Sequence, residues 1–260
     1  MEIKSESVED FYNSIDEEAR LKRKHSNQIE FLTTVAYLDK CISPNSKILD
    51  ACAGGGIYAY YLADRGHQLY AGDLVEKNVE DIRKNQENHA ELKEIFMGSI
   101  LDLQRYDHES FDTVLNLGSY YHLIDEEARK KSLEESIRVL KKEGLYAISY
   151  VNRYANIIKF REMFTDDFEL LNEYLAHGYH SKNKVFYCTT PELIEKELEN
   201  YGLQIMHHIA TDGMKFIIGD VVNTLTEDKF NQWMAFHLKT CEDRSILGSS
   251  EHGLIIARKI

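Results

Sequence analysis

From residue 47 onward the chain alternates short apolar runs with longer amphipathic stretches. The segments "KILDAC", "HQLYAGD", "EIFMGSI", "FDTVLNLG" and "GLYAISYV" read as strands, and the residues between them carry helical spacing. This alternation predicts a parallel sheet with helices on both faces, because parallel strands need crossover connections. Two later runs, "LQIMHHIA" from Leu203 and "GLIIARK" from Gly253, are separated by a helical pattern over Glu227 to Cys241. They bring the expected count to seven strands. A ligand of such a sheet sits beyond the carboxyl ends of its strands.

Punctuation residues place the helices. Ile57 to Arg65 stops at Gly66, and Asp125 to Lys142, with apolar Ala128, Leu133, Ile137 and Leu140, stops at Gly144. Glycine at such positions accepts the left-handed turn that closes a helix. Thr190 caps and Pro191 begins a helix over "TTPELIEKELENYG". The first 46 residues read as two helices, Val8 to about His25 and Ser26 to Cys41, folded across the ligand edge of the sheet. Between Asn152 and Thr190 the periodicity weakens and aromatic and charged residues mix. A single domain over 1–260 is expected, with cover helices at 1–46 and a lid at 152–190.

The 260 residues are 43% hydrophobic and 29% charged, a soluble globular composition. The formal charge of −13 repels phosphate backbones, which excludes nucleic acid and favours a small, neutral or cationic partner. The amino terminus "MEIKSESVED" lacks the regions of a signal peptide, and no apolar run is long enough for a membrane span. A cytoplasmic protein is expected. Cys41, Cys52, Cys188 and Cys241 are scattered, which suggests reduced thiols rather than disulfides or zinc ligands. His207 and His208 point to opposite faces of one strand, and the His177 and His180 pair has no neighbouring ligands in the sequence, so no metal is expected.

The chemistry concentrates at "KILDACAGGGIYAYYL". Gly54, Gly56 and Ala59 satisfy the dinucleotide pattern G-x-G-x-x-[GA], and Asp73 ends the second strand, where an acid accepts from ribose hydroxyls. Asp50 changes the choice of ligand. A carboxylate beside the glycine turn repels a pyrophosphate but attracts the sulfonium and ammonium of S-adenosylmethionine.

The stretch Ile48, Leu49, Asp50, Ala51, Cys52, Ala53, Gly54, Gly55, Gly56 resembles the first motif of class I S-adenosylmethionine-dependent methyltransferases, with Cys52 in place of the first glycine. "AGDL" resembles the acidic loop of that family, which implies Asp73 on the ribose and Leu74 against the adenine. "MGSILDL" resembles the segment along the adenine edge, implying Gly98, Ser99 and Ile100 there, with Ser99 where Asp is common. "FDTVLNLGSYYHL" and "ESIRVLKKEGLYAIS" are similar to the small-molecule enzymes of the ubiquinone-biosynthesis group, and "ILGSSEHGLIIARK" to the family's closing hairpin. The resemblance implies an α/β, Rossmann-like, seven-stranded and mostly parallel sheet with an antiparallel last strand. It implies a cofactor set of Asp50, Ala51, Ala53, Gly54, Gly56, Asp73, Leu74, Gly98, Ser99, Ile100, Asn116 and Leu117.

Methyl transfer from a sulfonium is an in-line displacement, so the protein mainly aligns acceptor and methyl, excludes water and manages a proton. Tyr121 and His122, just after the fourth strand, are the catalytic candidates: His122 as a general base and Tyr121 to orient the acceptor. Tyr12, Arg20, Arg153 and Tyr179 are candidates for the acceptor pocket. "NLGSYY" lacks the paired prolines of enzymes that methylate amide or base nitrogens. A small-molecule methyl acceptor is therefore expected. The alternatives are an NAD-dependent oxidoreductase on a similar sheet and a non-catalytic sensor of adenosyl ligands.

Overall fold

The computed structural model describes residues 24–179 and 185–260. The predicted helix from Val8 lies largely outside them. The described chain starts with α1 (His25–Cys41), then alternates β1 (Lys47–Asp50), α2 (Ile57–Ala63), β2 (Gln68–Asp73), α3 (Glu76–Asn85), β3 (Glu94–Met97) and β4 (Phe111–Asn116). Next come α4 (Glu126–Val139) and β5 (Leu140–Asn152), and then α5 (Arg153–Lys159), α6 (Arg161–Asp166) and α7 (Phe168–His177). The two-residue β6 (Cys188–Thr189), α8 (Pro191–Asn200) and β7 (Leu203–Ala210) follow. The last elements are α9 (Lys215–Val222), α10 (Glu227–Thr240), α11 (Arg244–Leu247) and β8 (His252–Lys259).

The strands run in the order β3-β2-β1-β4-β5-β8-β7, with β6 beside β5. Strands β1 to β5 are parallel to their neighbours, and β8 inserts antiparallel between β5 and β7. This is the predicted Rossmann-like sheet with its antiparallel closing strand. The difference is an eighth strand: β6 joins only Cys188 and Thr189 to Val151 and Asn152. Two residues are too few to leave a periodicity in the sequence.

Side chains alternate across this sheet, and helices cover both faces. Ile48, Leu115 and Ile256 pack into one core; Leu49, Val114 and Ile255 pack into the other. All six are 0 or 1% exposed, and each buried aliphatic side chain of this size contributes roughly 1.5 to 3 kcal/mol. That two-sided burial is why the strands read as continuous apolar runs rather than alternating ones.

Helix α4 ends at Val139, three residues before the expected Lys142. Leu140 already pairs with Phe111, and the register then shifts before Thr113 meets Leu145. Glu143 takes a positive φ of 60° in this irregularity. Capping follows the sequence elsewhere: Asp125 accepts from the Ala128 amide, and Thr190 accepts from the Leu193 amide with Pro191 opening α8.

The segment after β5 contains three short helices around its own small core of Val151, Phe164, Leu170, Tyr174 and Cys188. Helix α1 packs through Ile29 against Val222, Phe230 and Met234 of α9 and α10. Among the described residues no helix is long and apolar enough to cross a membrane.

Candidate functional site

Beyond the carboxyl ends of β1, β2 and β4 lies a cavity open to solvent. The turn after β1 forms its floor. Gly54 adopts φ 54°, and a Cβ there would point into open space. A left-handed turn facing a cavity leaves the backbone bare to whatever binds. Gly56 differs: at φ 90° it opens α2, and a Cβ would press on Tyr60 and Ile82 at 3.1 to 3.2 Å. It shapes the turn but does not line the cavity, a correction to its place in the predicted cofactor set. Cys52, where a glycine was expected, lines the cavity and stands outside the few non-glycine residues with positive φ, so the turn keeps ordinary backbone angles there.

Two carboxylates meet this turn. Asp73, at the end of β2, accepts from the Gly54 amide at 2.9 Å, the Val75 amide at 2.9 Å and Asn78 Nδ2 at 3.0 Å. Burial raises its pKa despite those donors. Asp50, at the end of β1, is 1% exposed, and neither carboxylate oxygen has a partner of good hydrogen-bond geometry. Burial pushes it up to about 7; the Cys52 amide opposes this and the Asp73 charge adds to it. An orphaned buried carboxylate facing a cavity is costly unless a ligand compensates it.

Leu74, 51% exposed, stands at the rim with Gly98, Ser99 and Ile100. Ala51, Ala53 and Leu117 also line the cavity. Asn116 does not. Its Oδ1 accepts from Ser119 Oγ at 2.7 Å and the Tyr120 amide at 3.2 Å, and its Nδ2 donates to the Tyr146 hydroxyl at 3.0 Å. It therefore pins the turn behind the wall instead of presenting its side chain to a ligand.

Tyr121 and His122 also line the cavity, with Tyr58 from α2 and Glu30 from α1. His122 Nδ1 lies 3.0 Å from the Val185 carbonyl oxygen. Burial lowers its pKa to about 4, against the opposing pull of that bond, so the ring is neutral. Its Nδ1 then donates to the carbonyl, leaving Nε2 as an acceptor.

The acceptor-pocket candidates separate. Arg153 donates from Nε to the Cys188 carbonyl at 3.2 Å and from Nη1 to the Leu175 carbonyl at 2.7 Å. With Tyr179, Arg129 and Tyr187 it borders a second depression, and neither Arg153 nor Tyr179 lines the main cavity. Tyr12 and Arg20 lie outside the described residues, as does His180.

Sequence reasoning missed Glu30, whose helix carries no motif. It missed Asn78 too, although its spacing after Asp73 on α3 was a usable signal. Glu30 belongs to a charged cluster. His252 Nδ1 lies 3.0 Å from Asp212 and 3.6 Å from Glu30. Burial alone would lower the pKa of His252, but Glu30, Asp212 and Glu251 together raise it to about 9. Lys159 and Lys215 in turn pair with Glu251. The ligand atoms of Glu30, Asp212 and His252 lie within 4.8 Å of one another and could hold a metal ion. The raised His252 ring hydrogen-bonds Asp212 and pairs more loosely with Glu30.

Comparisons with known proteins agree with this geometry. Residues 49–148 match the family model described as a methyltransferase domain. A glycine/sarcosine N-methyltransferase of Aphanothece halophytica is 27% identical over 205 residues, covering 76% of this chain and 67% of the relative. Its counterpart from Halorhodospira halochloris is 27% identical over 66% of this chain and 58% of the relative. A solved S-adenosylmethionine-dependent methyltransferase from Methanosarcina mazei superposes with a TM-score of 0.58 at 16% identity, over 86% of this chain and 97% of that one. Residues 49–148 are thus similar to methyltransferase domains, on a fold shared with S-adenosylmethionine-dependent methyltransferases. The residues present fit S-adenosylmethionine: the Gly54 turn open to the cavity, Asp73 beside it and the buried Asp50, whose burial a cationic ligand would offset.

Proposed function

We propose that this protein transfers the methyl group of S-adenosylmethionine to a small-molecule acceptor by in-line displacement. The observation that carries the reading is a cavity lined by Asp50, Gly54 and Asp73 together with Tyr58, Tyr121, His122 and Glu30. The cofactor supplies an electrophilic methyl on a sulfonium. Asp50 balances its positive charge, Asp73 receives ribose hydroxyls, and Leu74 with Ile100 brackets the adenine. Tyr121 orients the acceptor. His122, neutral and tied to Val185, offers a hydrogen-bond acceptor at Nε2; a strong proton-abstracting role does not suit a ring held so far below its usual pKa.

The relatives' glycine and sarcosine acceptors support a small substrate, as does the likeness of "FDTVLNLGSYYHL" to the ubiquinone-biosynthesis group. The charge of −13 argues against nucleic acid and, with its free cysteines, suits a cytoplasmic enzyme. Residues 152–190 are read as a lid and α1 as cover for the acceptor end, within one domain.

Calorimetric titration with S-adenosylhomocysteine and with NAD tests the reading. Binding of the former alone is expected; binding of NAD alone would replace the methyltransferase with an oxidoreductase. Tight binding with no methyl transfer to any acceptor class would favour a sensor.

A further inference from the structure

Away from the cofactor residues, ion pairs converge on two adjacent residues, Glu251 and His252, where β8 begins. The buried Glu251 divides its carboxylate between elements: Oε1 meets Lys159 Nζ of α5 at 2.5 Å, and Oε2 lies 3.7 Å from Lys215 Nζ of α9. His252 Nδ1 lies 3.0 Å from Asp212, between β7 and α9, and 3.6 Å from Glu30 of α1. The main chain of both residues is tied to the ends of β5 and β7. The Glu251 carbonyl accepts from the Asn152 amide at 2.8 Å, and the His252 carbonyl from the Thr211 amide at 3.1 Å.

Helices α1 and α5 thereby share an anchor. Both belong to the surroundings of the cavity: α1 supplies Glu30 to its lining, and α5 begins the segment in which the Val185 carbonyl meets His122. Helix α9 joins α1 from behind, since Ile29 packs on Val222 and the Ser26 amide donates to Asn223 Oδ1 at 3.0 Å. The side chains of Glu30, Asp212, Lys215, Glu251 and His252 are each 15% exposed or less. Charges placed this way act on one another beyond their direct partners, because little water separates them. Glu251 and His252 influence each other so. Removing a positive charge weakens the hold on every carboxylate of the cluster, and removing a carboxylate weakens the hold on every cation. Such coupling is reciprocal.

We infer that Glu251 and His252 form a double clasp that makes α1 and α5 a single opening unit, so that these two parts around the cavity loosen together rather than separately. The clasp operates whatever acceptor is methylated, and so goes beyond the methyltransferase reading. Glu30 has further interactions of its own, and the clasp uses only the share of its hold that passes through His252.

Hydrogen–deuterium exchange of the full chain without ligand, read separately over α1 and α5, tests this. The control is α3, which packs on β2 and β3 away from the cluster. Lys159 is 40% exposed, so its replacement should leave the fold in place. Lys159→Met should speed exchange by about threefold or more over α1 as well as α5, and Glu30→Gln should do the same over α5 as well as α1, with α3 unchanged. The double variant has lost one charge of each sign, so its acceleration should fall short of the product of the two single effects. Lys159→Arg keeps the charge and should leave α1 as in the parent. Acceleration confined to the helix that carries the substitution overturns the clasp, as do single effects that simply multiply, an equal rise over α3, or the same response to Arg as to Met.

Discussion

The Gly54 amide donates to Asp73 Oδ2 at 2.9 Å, so the acid that ends the second strand also closes the glycine turn that follows the first. One carboxylate thus holds the turn and, in the proposed reading, would receive the ribose at its remaining acceptor positions. Asp73→Ala removes both, and S-adenosylhomocysteine binding should weaken by about 1 to 3 kcal/mol. Titration calorimetry reads this directly. Unchanged affinity would place the ribose elsewhere.

Gly54→Val should abolish cofactor binding while leaving the fold in place. The substituted side chain meets no protein atom within 4 Å and points into the cavity, though the φ of 54° adds strain, on the order of 1 to 2 kcal/mol. Circular dichroism with a moderately lower Tm, together with silent calorimetry, is the expected result. A variant that binds cofactor normally would show that the ligand does not approach this turn.

Asp50 should make cofactor binding release a proton. Its folded pKa, about 7 without ligand, lies well above the ordinary carboxylate value. A cationic ligand favours the ionised form and lowers that value, so affinity for S-adenosylmethionine should rise with pH between about 6 and 8. The same shift sets stability in the other direction. The folded state binds a proton that the unfolded chain has lost, so this group's contribution declines as pH rises from about 4 to about 7. Asp50→Asn should flatten both trends. Heats measured in buffers of different ionisation enthalpy will show proton release in the parent and its loss in the variant.

His122→Asn should keep turnover within a few-fold, since its amide can repeat the donation to the Val185 carbonyl. His122→Ala removes this hydrogen bond and should cost about 1 kcal/mol of stability. A fall of a hundredfold or more in kcat for the Asn variant would instead make His122 a proton acceptor in the reaction.

Gly253→Ala should destabilise the closing strand by about 1 to 3 kcal/mol. A Cβ there would overlap the Tyr150 ring, whose hydroxyl is fixed to His208 Nε2 at 2.8 Å and cannot swing away without breaking that bond. Denaturant unfolding measures the difference; unaltered stability would show that the ring has room to move.

The sheet was legible because burial on both faces writes itself as short apolar runs, and because the chain's motifs fall where those runs end. Asp50, Gly54, Asp73 and Gly98 were legible for the same reason: each follows a strand. What the sequence hid lies in tertiary partnerships. Nothing in "FDTVLN" says that Asn116 turns back to Ser119 and Tyr146 rather than outward. Gly56 matched a cofactor pattern although its missing side chain makes room for Tyr60 and Ile82. Arg153 was a plausible ligand clamp until the carbonyls of Leu175 and Cys188 were found to hold it. Glu30 was invisible because it reaches the site from a helix packed elsewhere, on Val222 and Phe230.

That last placement gives the cavity a divided ancestry. Asp50, Gly54, Asp73 and Gly98 come from consecutive strand ends within one continuous stretch of chain, whereas Glu30 comes from α1, with His252 of β8 beside it. Exchanges in α1 or at the start of β8 can therefore retune what is methylated while the machinery that supplies the methyl group stays untouched, so that substrate range is free to diverge faster than chemistry.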